Sequence, residues 1–401
     1  MNVILITLDA MRTDSLSIYG GTKKLTPNID KIAGQSVVFD QCITVANSTG
    51  PGHMSIFTGQ YPCTHGIREN GWKWKKKIPT IAEIFSQNNY STVGMSSIEF
   101  LSTYYGSSTG FKEFFNNNKW DKYFYWANKF QFKIGRYRFR LISWLRRNKI
   151  FPMTHSRRAN DTNKDVLPWI RKNHKKPFFM WIQYMTGHLA TVEKYEEKTR
   201  VLDRAYGELI DLIKELNILD ETIIVHMADH GEAFFEHGFR GHSWYLYDEE
   251  IKIPFFIYYP KKFKARRFSE QVRTIDIFST ILDLVGIKFI EKTDGKSLLP
   301  LIEGKEKFRE DAFSECYPVH RISNCIRTFD GWKYILNTDK ENELFELNSD
   351  PMEKNNLFNS KKEKSADLHE RVEKWAKEGK IIERQETEEY TQEVLKGFGY
   401  L

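Results

Sequence analysis

Carboxylate and imidazole side chains lie at or near the ends of three separate apolar stretches of this 401-residue chain. They are Asp9, His188 and the pair Asp229 and His230, with His242 twelve residues after His230. Carboxylate oxygens and imidazole nitrogens together suit a divalent cation, and the imidazoles favour Zn²⁺ or Mn²⁺ over Ca²⁺ or Mg²⁺. Each residue alone could be a helix cap or a buried histidine. Their shared position after apolar strands predicts a single metal site at one edge of a sheet.

A hydroxyl group on a tight turn is the second chemical feature. Ser48 and Thr49 precede residues 50–52, which read Gly-Pro-Gly, and the residues from His53 to Thr58 predict a helix. Glycine lacks a Cβ and proline fixes one dihedral angle, so the backbone can turn sharply there. The positive end of the helix dipole would stabilise an anion or an alkoxide beside the hydroxyl. Either hydroxyl could instead be an ordinary helix cap.

The elements that must position these side chains alternate between apolar strands and helices. The predicted strands are residues 3–8, 37–39, 92–95, 177–184, 222–227 and 253–258, and the predicted helices begin near residues 26, 80 and 195. This alternation predicts an α/β fold with a mainly parallel central sheet and helices on both faces. After residue 301 a predicted hairpin (residues 330–336 and 343–347) and a charged helix near residues 361–378 indicate a small C-terminal α+β subdomain.

We therefore predict a catalytic α/β domain over residues 1–301, and an α+β subdomain with a helical tail over residues 302–401. A basic aromatic insertion over residues 118–176 interrupts the first domain. Residues 119–176 hold 17 Lys and Arg residues against three acidic ones, whereas the whole chain has a net charge of +7. Residues 119–151 also contain eleven aromatic side chains.

This insertion has two interpretations that the residues leave open. A basic amphipathic segment could rest on an anionic membrane surface or receive a lipid-linked phosphate. The same residues could form a lid whose rings pack on the main domain while the arginines stay in solvent. Nucleic-acid binding is disfavoured, because no nucleic-acid-binding module is recognisable.

The start of the chain and its cysteines indicate the cellular compartment of the protein. The apolar run after Met1 is too short for a signal peptide and lacks a basic start, and no apolar run reaches the roughly eighteen residues of a membrane span. The four cysteines show no CxxC spacing, which favours free thiols. We expect a cytoplasmic protein, either soluble or peripheral to the membrane. The oligomeric state does not follow from the sequence.

Several ordered motifs resemble the alkaline-phosphatase superfamily, in particular its sulfatase-like and nucleotide pyrophosphatase/phosphodiesterase branches. These motifs are residues 5–14, 26–30, 49–53, 58–62, 65–70, 228–254 and 343–357. The resemblance covers most of the chain and implies an alkaline phosphatase-like fold with a divalent metal ion. Its spacing to Thr58 selects Thr49 over Ser48 as the nucleophile. The metal ligands that it implies are Asp9, Thr49, Asp229 and His230.

Five positions depart from the patterns of the relatives. Sulfatases carry Cys or Ser at the nucleophile position, where oxidation gives formylglycine, and Thr49 cannot give that aldehyde. His53 and His242 stand where sulfatases have Arg and Lys, and Ala10 stands where many have a second Asp. Tyr184 replaces an Asp of the two-metal phosphodiesterases. Threonine with the Asp-His pair is similar to phosphodiesterases and to phosphoglycerol and phosphoethanolamine transferases.

These features together predict a metal-dependent hydrolase of phosphate mono- or diesters that forms a covalent phosphothreonine at Thr49. His188 and His242 would protonate the leaving oxygen or bind a second ion, and Asn70 would stabilise charge on the phosphoryl oxygens. The substrate would be a small or lipid-linked phosphate ester. Three alternatives remain open: a phosphoryl transferase to an alcohol, a sulfatase acting on sulfate esters, and a non-catalytic membrane- or polyanion-binding protein.

Overall fold

The computed structural model describes residues 1–75, 78–116, 156–185, 191–317 and 322–379, together with residues 391, 392 and 395. Its strands are β1 (Asn2–Asp9), β2 (Val37–Ile43), β3 (Ser91–Met95), β4 (Glu113–Phe115), β5 (Phe178–Met185), β6 (Thr222–Ala228), β7 (Ala233–Phe234), β8 (Arg240–Gly241), β9 (Lys252–Tyr258), β10 (Arg266–Arg273), β11 (Ala312–Cys316), β12 (Ser323–Arg327), β13 (Trp332–Asn337) and β14 (Glu343–Glu346). Its α-helices are α1 (Pro27–Ala33), α2 (Thr49–Thr58), α3 (Pro62–His65), α4 (Ile81–Gln87), α5 (Ala159–Asn173), α6 (Val192–Glu215), α7 (Asp248–Ile251), α8 (Asp276–Leu284), α9 (Leu299–Ile302) and α10 (Lys362–Glu378).

The larger sheet brings Asp9, Asp229 and the turn that carries Thr49 to one edge. Its eight strands have the order β10-β2-β9-β6-β1-β5-β3-β4. Among these described strands only β9 is antiparallel to its neighbours. The carboxyl ends of β1, β2 and β6 therefore lie at the same edge, where parallel sheets place their ligands.

The core of this sheet explains why its strands read as continuous apolar runs. Every residue of β1, β5 and β6 is buried, which requires cover on both faces of the sheet. Helix α6 supplies part of that cover with an apolar stripe that includes Leu202, Leu209 and Ile213. The predicted α/β fold with a mainly parallel sheet is confirmed.

Helix α5 falls inside the stretch that the sequence analysis assigned to the basic insertion. It packs against α6 and β5, and it buries Val166, Trp169 and Ile170. Residues 159–173 are thus one of the helices that cover the main sheet. Residues 117–155 lie outside the described residues, so the membrane and lid interpretations of residues 119–151 stay predictions.

The smaller sheet is an antiparallel meander of β11, β12, β13 and β14, with α10 packed against β12 and β13. The predicted hairpin corresponds to β13 and β14, and the predicted charged helix corresponds to α10. The Glu315 N–H of β11 donates to the Val45 carbonyl at 3.0 Å, just before the turn that carries Thr49. The small sheet therefore supports the backbone that leads into the candidate site.

The sequence also predicts the state of the cysteines and the lack of a membrane-spanning run. All four cysteines are free and buried, as the sequence predicts. Across the described ranges, no helix has both the length and the apolar character that a membrane-spanning segment needs.

Candidate active site and metal centre

Asp9, Asp229 and His230 form a compact cluster at the carboxyl edge of the main sheet. One ligand atom from each lies within 4.8 Å of the others, and all three side chains are fully buried. Asp9 ends β1 and Asp229 directly follows β6, and these neighbouring strands pair in a register that places Leu8 opposite Ala228. The register of the sheet, rather than any local motif, brings the two carboxylates together.

The backbone after β1 helps to hold the Asp229 carboxylate. Ala10 has a left-handed conformation with φ 56°, which for an alanine costs roughly 1–2 kcal/mol and must be held by its surroundings. Its N–H donates to Asp229 Oδ1 at 3.1 Å, and the His230 N–H donates to the same oxygen at 2.9 Å. Asp229 Oδ2 accepts no hydrogen bond from the described residues and lies 3.6 Å from His230 Nε2. One carboxylate oxygen is thus fixed and the other is available to a cation.

The His230 ring is oriented by the backbone. Its Nδ1 lies 2.8 Å from the Gly231 carbonyl oxygen, which can only accept, so Nδ1 carries the proton. Nε2 of the neutral ring therefore presents a lone pair to the cluster. This is the usual arrangement of a metal-ligating histidine, whose second nitrogen donates to a carbonyl.

Thr49 places its hydroxyl beside this cluster. It is the first residue of α2, and Thr49 Oγ1 lies 3.2 Å from His230 Nε2 and 3.5 Å from Asp9 Oδ2. The preceding Ser48 is extended, with φ −141°, and its side chain makes no capping hydrogen bond. The hydroxyl beside the cluster is therefore that of Thr49, which the spacing to Thr58 had selected over Ser48.

Asn70 adjoins the same turn. Its Oδ1 accepts a hydrogen bond from the Gly50 N–H at 2.7 Å. Its Nδ2 is buried and has no acceptor among the described residues. An unused donor beside the start of α2 is suited to an anionic oxygen of a substrate.

The electrostatics of the cluster fit a divalent cation. Burial raises the pKa of Asp9 well above its usual value, and the nearby Asp229 charge raises it further. Burial also raises the pKa of Asp229 to about 7. A cation between the two carboxylates would favour their ionised forms and offset the cost of burying them. Asp9, Asp229 and His230, with Thr49 Oγ1, would hold such an ion.

The donor set bears on which cation fits. The sequence analysis counted up to three imidazoles and therefore favoured Zn²⁺ or Mn²⁺. Among the described residues, only the His230 imidazole joins the two carboxylates in the cluster. An oxygen-rich set suits harder cations such as Ca²⁺, Mg²⁺ or Mn²⁺.

His53 stands on α2 where sulfatases have an arginine, yet it does not supply a positive charge. Its Nδ1 donates to the Thr49 carbonyl at 2.8 Å, and its Nε2 accepts from the Thr7 hydroxyl at 2.9 Å. Burial lowers the pKa of His53 to about 3. The ring is neutral at physiological pH, and it holds the backbone of the Thr49 turn.

Of the other two predicted histidines, His242 is among the described residues and His188 is not. The His242 ring lies 4.1 Å from the His230 ring, and its Nδ1 is 3.0 Å from Glu232 Oε2. It adjoins the cluster of Asp9, Asp229 and His230 without belonging to it. His188 lies outside the described residues, so its catalytic role and the second metal ion stay predictions.

Two further site residues were missed in the sequence. Gln183 of β5 donates from Nε2 to Asp9 Oδ2 at 2.8 Å, and it is placed by the pairing of Thr7 with Gln183. Glu232 is fully buried beside His242. A polar residue within an otherwise apolar strand was the available signal for Gln183. Glu232 gave no signal beyond its proximity to His230.

The fold is that of the alkaline-phosphatase-like class, and Asp9, Asp229 and His230 form a candidate metal site beside the hydroxyl at the start of α2. The comparisons make this more specific. The sulfatase family profile matches residues 1–287, and the chain belongs to that family. A second profile, described as N-sulphoglucosamine sulphohydrolase, C-terminal, matches residues 235–378.

Curated relatives match along nearly the whole chain. The N-acetylglucosamine-6-O-sulfatase of Bacteroides thetaiotaomicron is 23% identical, over 89% of this chain and 82% of its own length. The arylsulfatase of Clostridium perfringens is 25% identical, over 90% of this chain and 91% of its own length.

Solved structures share the fold at low identity. A protein determined with its substrate D-glucosamine-2-N,6-O-disulfate superposes with a TM-score of 0.75 and 19% identity, over 96% of this chain and 99% of that chain. The phosphonate monoester hydrolase of Agrobacterium radiobacter superposes with a TM-score of 0.74 and 18% identity, over 94% of this chain and 96% of that chain.

Proposed function

We propose that this chain is a metal-dependent hydrolase of sulfate esters that uses the Thr49 hydroxyl as its nucleophile. The observation that carries the proposal is the position of Thr49 Oγ1 at the start of α2, 3.2 Å from His230 Nε2 and 3.5 Å from Asp9 Oδ2. Family membership over residues 1–287 and relatives named as sulfatases support sulfate esters as the first substrate class.

The residues of the site have separate roles in this proposal. A divalent cation bound by Asp9, Asp229 and His230 would supply the positive charge that lowers the pKa of a nearby hydroxyl. Thr49 Oγ1 loses its proton and attacks the sulfur atom, while the ester oxygen departs with the bonding electron pair and takes up a proton. The start of α2 and Asn70 Nδ2 donate to the anionic oxygens. Water then cleaves the bond from sulfur to Thr49 and releases sulfate.

His242 is the described candidate for transferring a proton to the leaving oxygen, because its ring lies beside His230 and is held by Glu232. Burial lowers the pKa of His242 well below its usual value, so the resting ring is neutral and must first take up the proton that Thr49 loses. His188 would share this role. Binding of a second metal ion by His188 and His242 stays a prediction, because His188 lies outside the described residues.

The charges around Thr49 support a monoanionic substrate. None of the hydrogen bonds or ion pairs that the described residues make with Thr49, Asp229 or His230 involves a lysine or arginine. The neutral His53 adds no charge. A site with one cation and several buried carboxylates should bind a singly charged ester, such as a sulfate monoester, better than a doubly charged phosphate monoester.

Phosphate diesters or phosphonate monoesters are a second candidate, which one observation favours. Thr49 cannot become the formylglycine that sulfatases carry at this position, and its hydroxyl suits a covalent phosphothreonine. The same residues would serve a transferase if an alcohol replaced water as the acceptor. Both substrate types are singly charged, so they satisfy the same electrostatic argument.

A panel of p-nitrophenyl esters tests this proposal. Purified protein is assayed with the sulfate, the phosphate monoester, a phosphate diester and a phosphonate monoester, each with Ca²⁺, Mg²⁺, Mn²⁺ or Zn²⁺ and with or without glycerol as acceptor. We expect the sulfate ester to be cleaved fastest. Diester or phosphonate turnover without sulfate turnover would establish the second candidate, and a glycerol adduct would establish transfer.

Variants at the turn identify the nucleophile. Thr49→Ala should lower kcat by at least about a thousandfold, as loss of a nucleophile does, whereas Thr49→Ser should retain measurable activity. Ser48→Ala is the matched control, because its hydroxyl makes no capping bond. Near-normal turnover by Thr49→Ala would refute the assignment of Thr49, and no turnover of any ester by the wild type would favour a binding protein.

A further inference from the structure

A polar cavity of about 670 Å³ lies between strand β10 of the main sheet and the four-stranded sheet. Its walls include Lys252, Lys307, Phe308, Arg309, Arg327 and Phe329. None of the site residues described above lines it. The volume falls within the roughly 300–1,000 Å³ that small-molecule sites occupy.

Positive charge predominates on the wall of this cavity. Lys252, Lys307 and Arg309 form no ion pair with any described acidic residue, although all three line the cavity. The Arg309 guanidinium lies 6.0 Å from the centre of the Phe329 ring. Three cations on one concave surface would attract a small anion.

The acidic residues of the wall do not cancel this charge. Asp40 pairs with Arg267 at 2.6 Å, and Asp248 pairs with the buried Lys333 at 2.9 Å. Arg267 and Lys333 lie outside the cavity lining, whereas Asp248 also pairs with Arg327 of the lining at 3.3 Å and is close enough to Lys252 to feel its charge. Glu270 is the one lining acid with no ion pair among the described residues, so the free cations outnumber it.

The cavity wall combines a buried, hydrogen-bonded arginine with two phenylalanine rings. Arg327 is buried, and its guanidinium donates to the amide oxygens of Gln271 at 2.5 Å and Gln41 at 2.6 Å. Phe329, which is half exposed, and Phe308, which is half buried, both line the cavity. Exposed rings next to guanidinium and ammonium groups suit a ligand that combines a ring face with an oxyanion.

We propose that this cavity binds a small organic oxyanion carried on a ring, namely a sulfated or phosphorylated sugar, at a site separate from Thr49. Lys307 and Arg309 contact the oxyanion, and Phe329 packs against the face of the ring. The site does not depend on the reaction at Thr49, because the two sets of residues do not overlap.

Isothermal titration calorimetry on the full chain tests this site. Thr49→Ala protein is titrated at low salt with glucosamine 6-sulfate or glucosamine 6-phosphate, so that turnover does not interfere. The pocket variant adds Lys307→Gln and Arg309→Gln, and a matched control adds Lys172→Gln and Lys175→Gln. The control removes the same charge from exposed residues outside the cavity.

We expect the pocket variant to bind at least tenfold more weakly at one site, while the control keeps the full isotherm. Phe329→Ala, at an exposed position, should weaken binding severalfold. Preference for either sugar ester supports the shared chemistry and identifies its source. Identical isotherms for the pocket variant and the control would overturn the proposal, as would inorganic sulfate binding as tightly as glucosamine 6-sulfate. If the wild type cleaved none of the p-nitrophenyl esters, the proposed function would fail, but the calorimetric comparison would still test this cavity.

Discussion

Replacing Asp229 by asparagine should make the metal-free protein more stable above neutral pH. Burial raises the pKa of Asp229 from 3.8 to about 7. Between these values the folded state keeps a proton that the unfolded state has lost, so the free energy of unfolding falls as pH rises through this window. At about 1.4 kcal/mol per pH unit, the cost reaches at most about 4 kcal/mol above pH 7. Asp229→Asn removes this cost and keeps an acceptor for the Ala10 N–H.

The assay is urea unfolding followed by tryptophan fluorescence after treatment with a chelator, between about pH 5 and pH 8. The wild type should lose stability towards alkaline pH more steeply than Asp229→Asn, and the two should converge below about pH 4. Adding a divalent cation should stabilise the wild type by mass action and the variant far less. Asp211→Asn, at an exposed position, is the matched control.

Two results would refute this reasoning. Parallel pH profiles for wild type and Asp229→Asn would show that burial does not perturb this carboxyl group. Equal stabilisation of both proteins by the cation would show that Asp229 is not a ligand. Burial also raises the pKa of Asp9 and Glu250. The free energy of unfolding should therefore still fall with rising pH in both proteins, by an amount that they share.

Three further predictions follow from the site and its support. Asn70→Ala should lower kcat about ten- to a thousandfold with little change in the urea midpoint, as expected for loss of an oxyanion donor; an unchanged kcat would exclude that role. Lys333→Met should cost about 3–5 kcal/mol of unfolding free energy, because Asp248 and Glu353 lie within 2.9 Å of its buried ammonium group; an unchanged urea midpoint would contradict this. Chelation should abolish ester turnover, and Mg²⁺, Ca²⁺ or Mn²⁺ should restore it better than Zn²⁺ does; restoration by Zn²⁺ alone would overturn the oxygen-rich ligand set.

The strands that carry the cluster could be read from the sequence, but several peripheral strands could not. Strands β1, β5 and β6 are apolar at nearly every position, because helices cover both faces of the sheet. Strand β10 contains Arg266, Arg267 and Glu270 and has no apolar run. It forms because its backbone pairs with β2, and that pairing is invisible locally.

The sequence by itself determined which side chains could bind a metal ion and which turn could present a hydroxyl. The spacing to Thr58 also selected Thr49 over Ser48. The tertiary structure decided how close that hydroxyl lies to the cluster, because Thr49 begins α2 with its oxygen 3.2 Å from His230 Nε2. It also decided that His53 is neutral, since burial of its ring between α2 and the main sheet lowers its pKa. Strand register and burial depend on residues far apart in the chain, so a single sequence names the candidate groups without fixing their distances or charges.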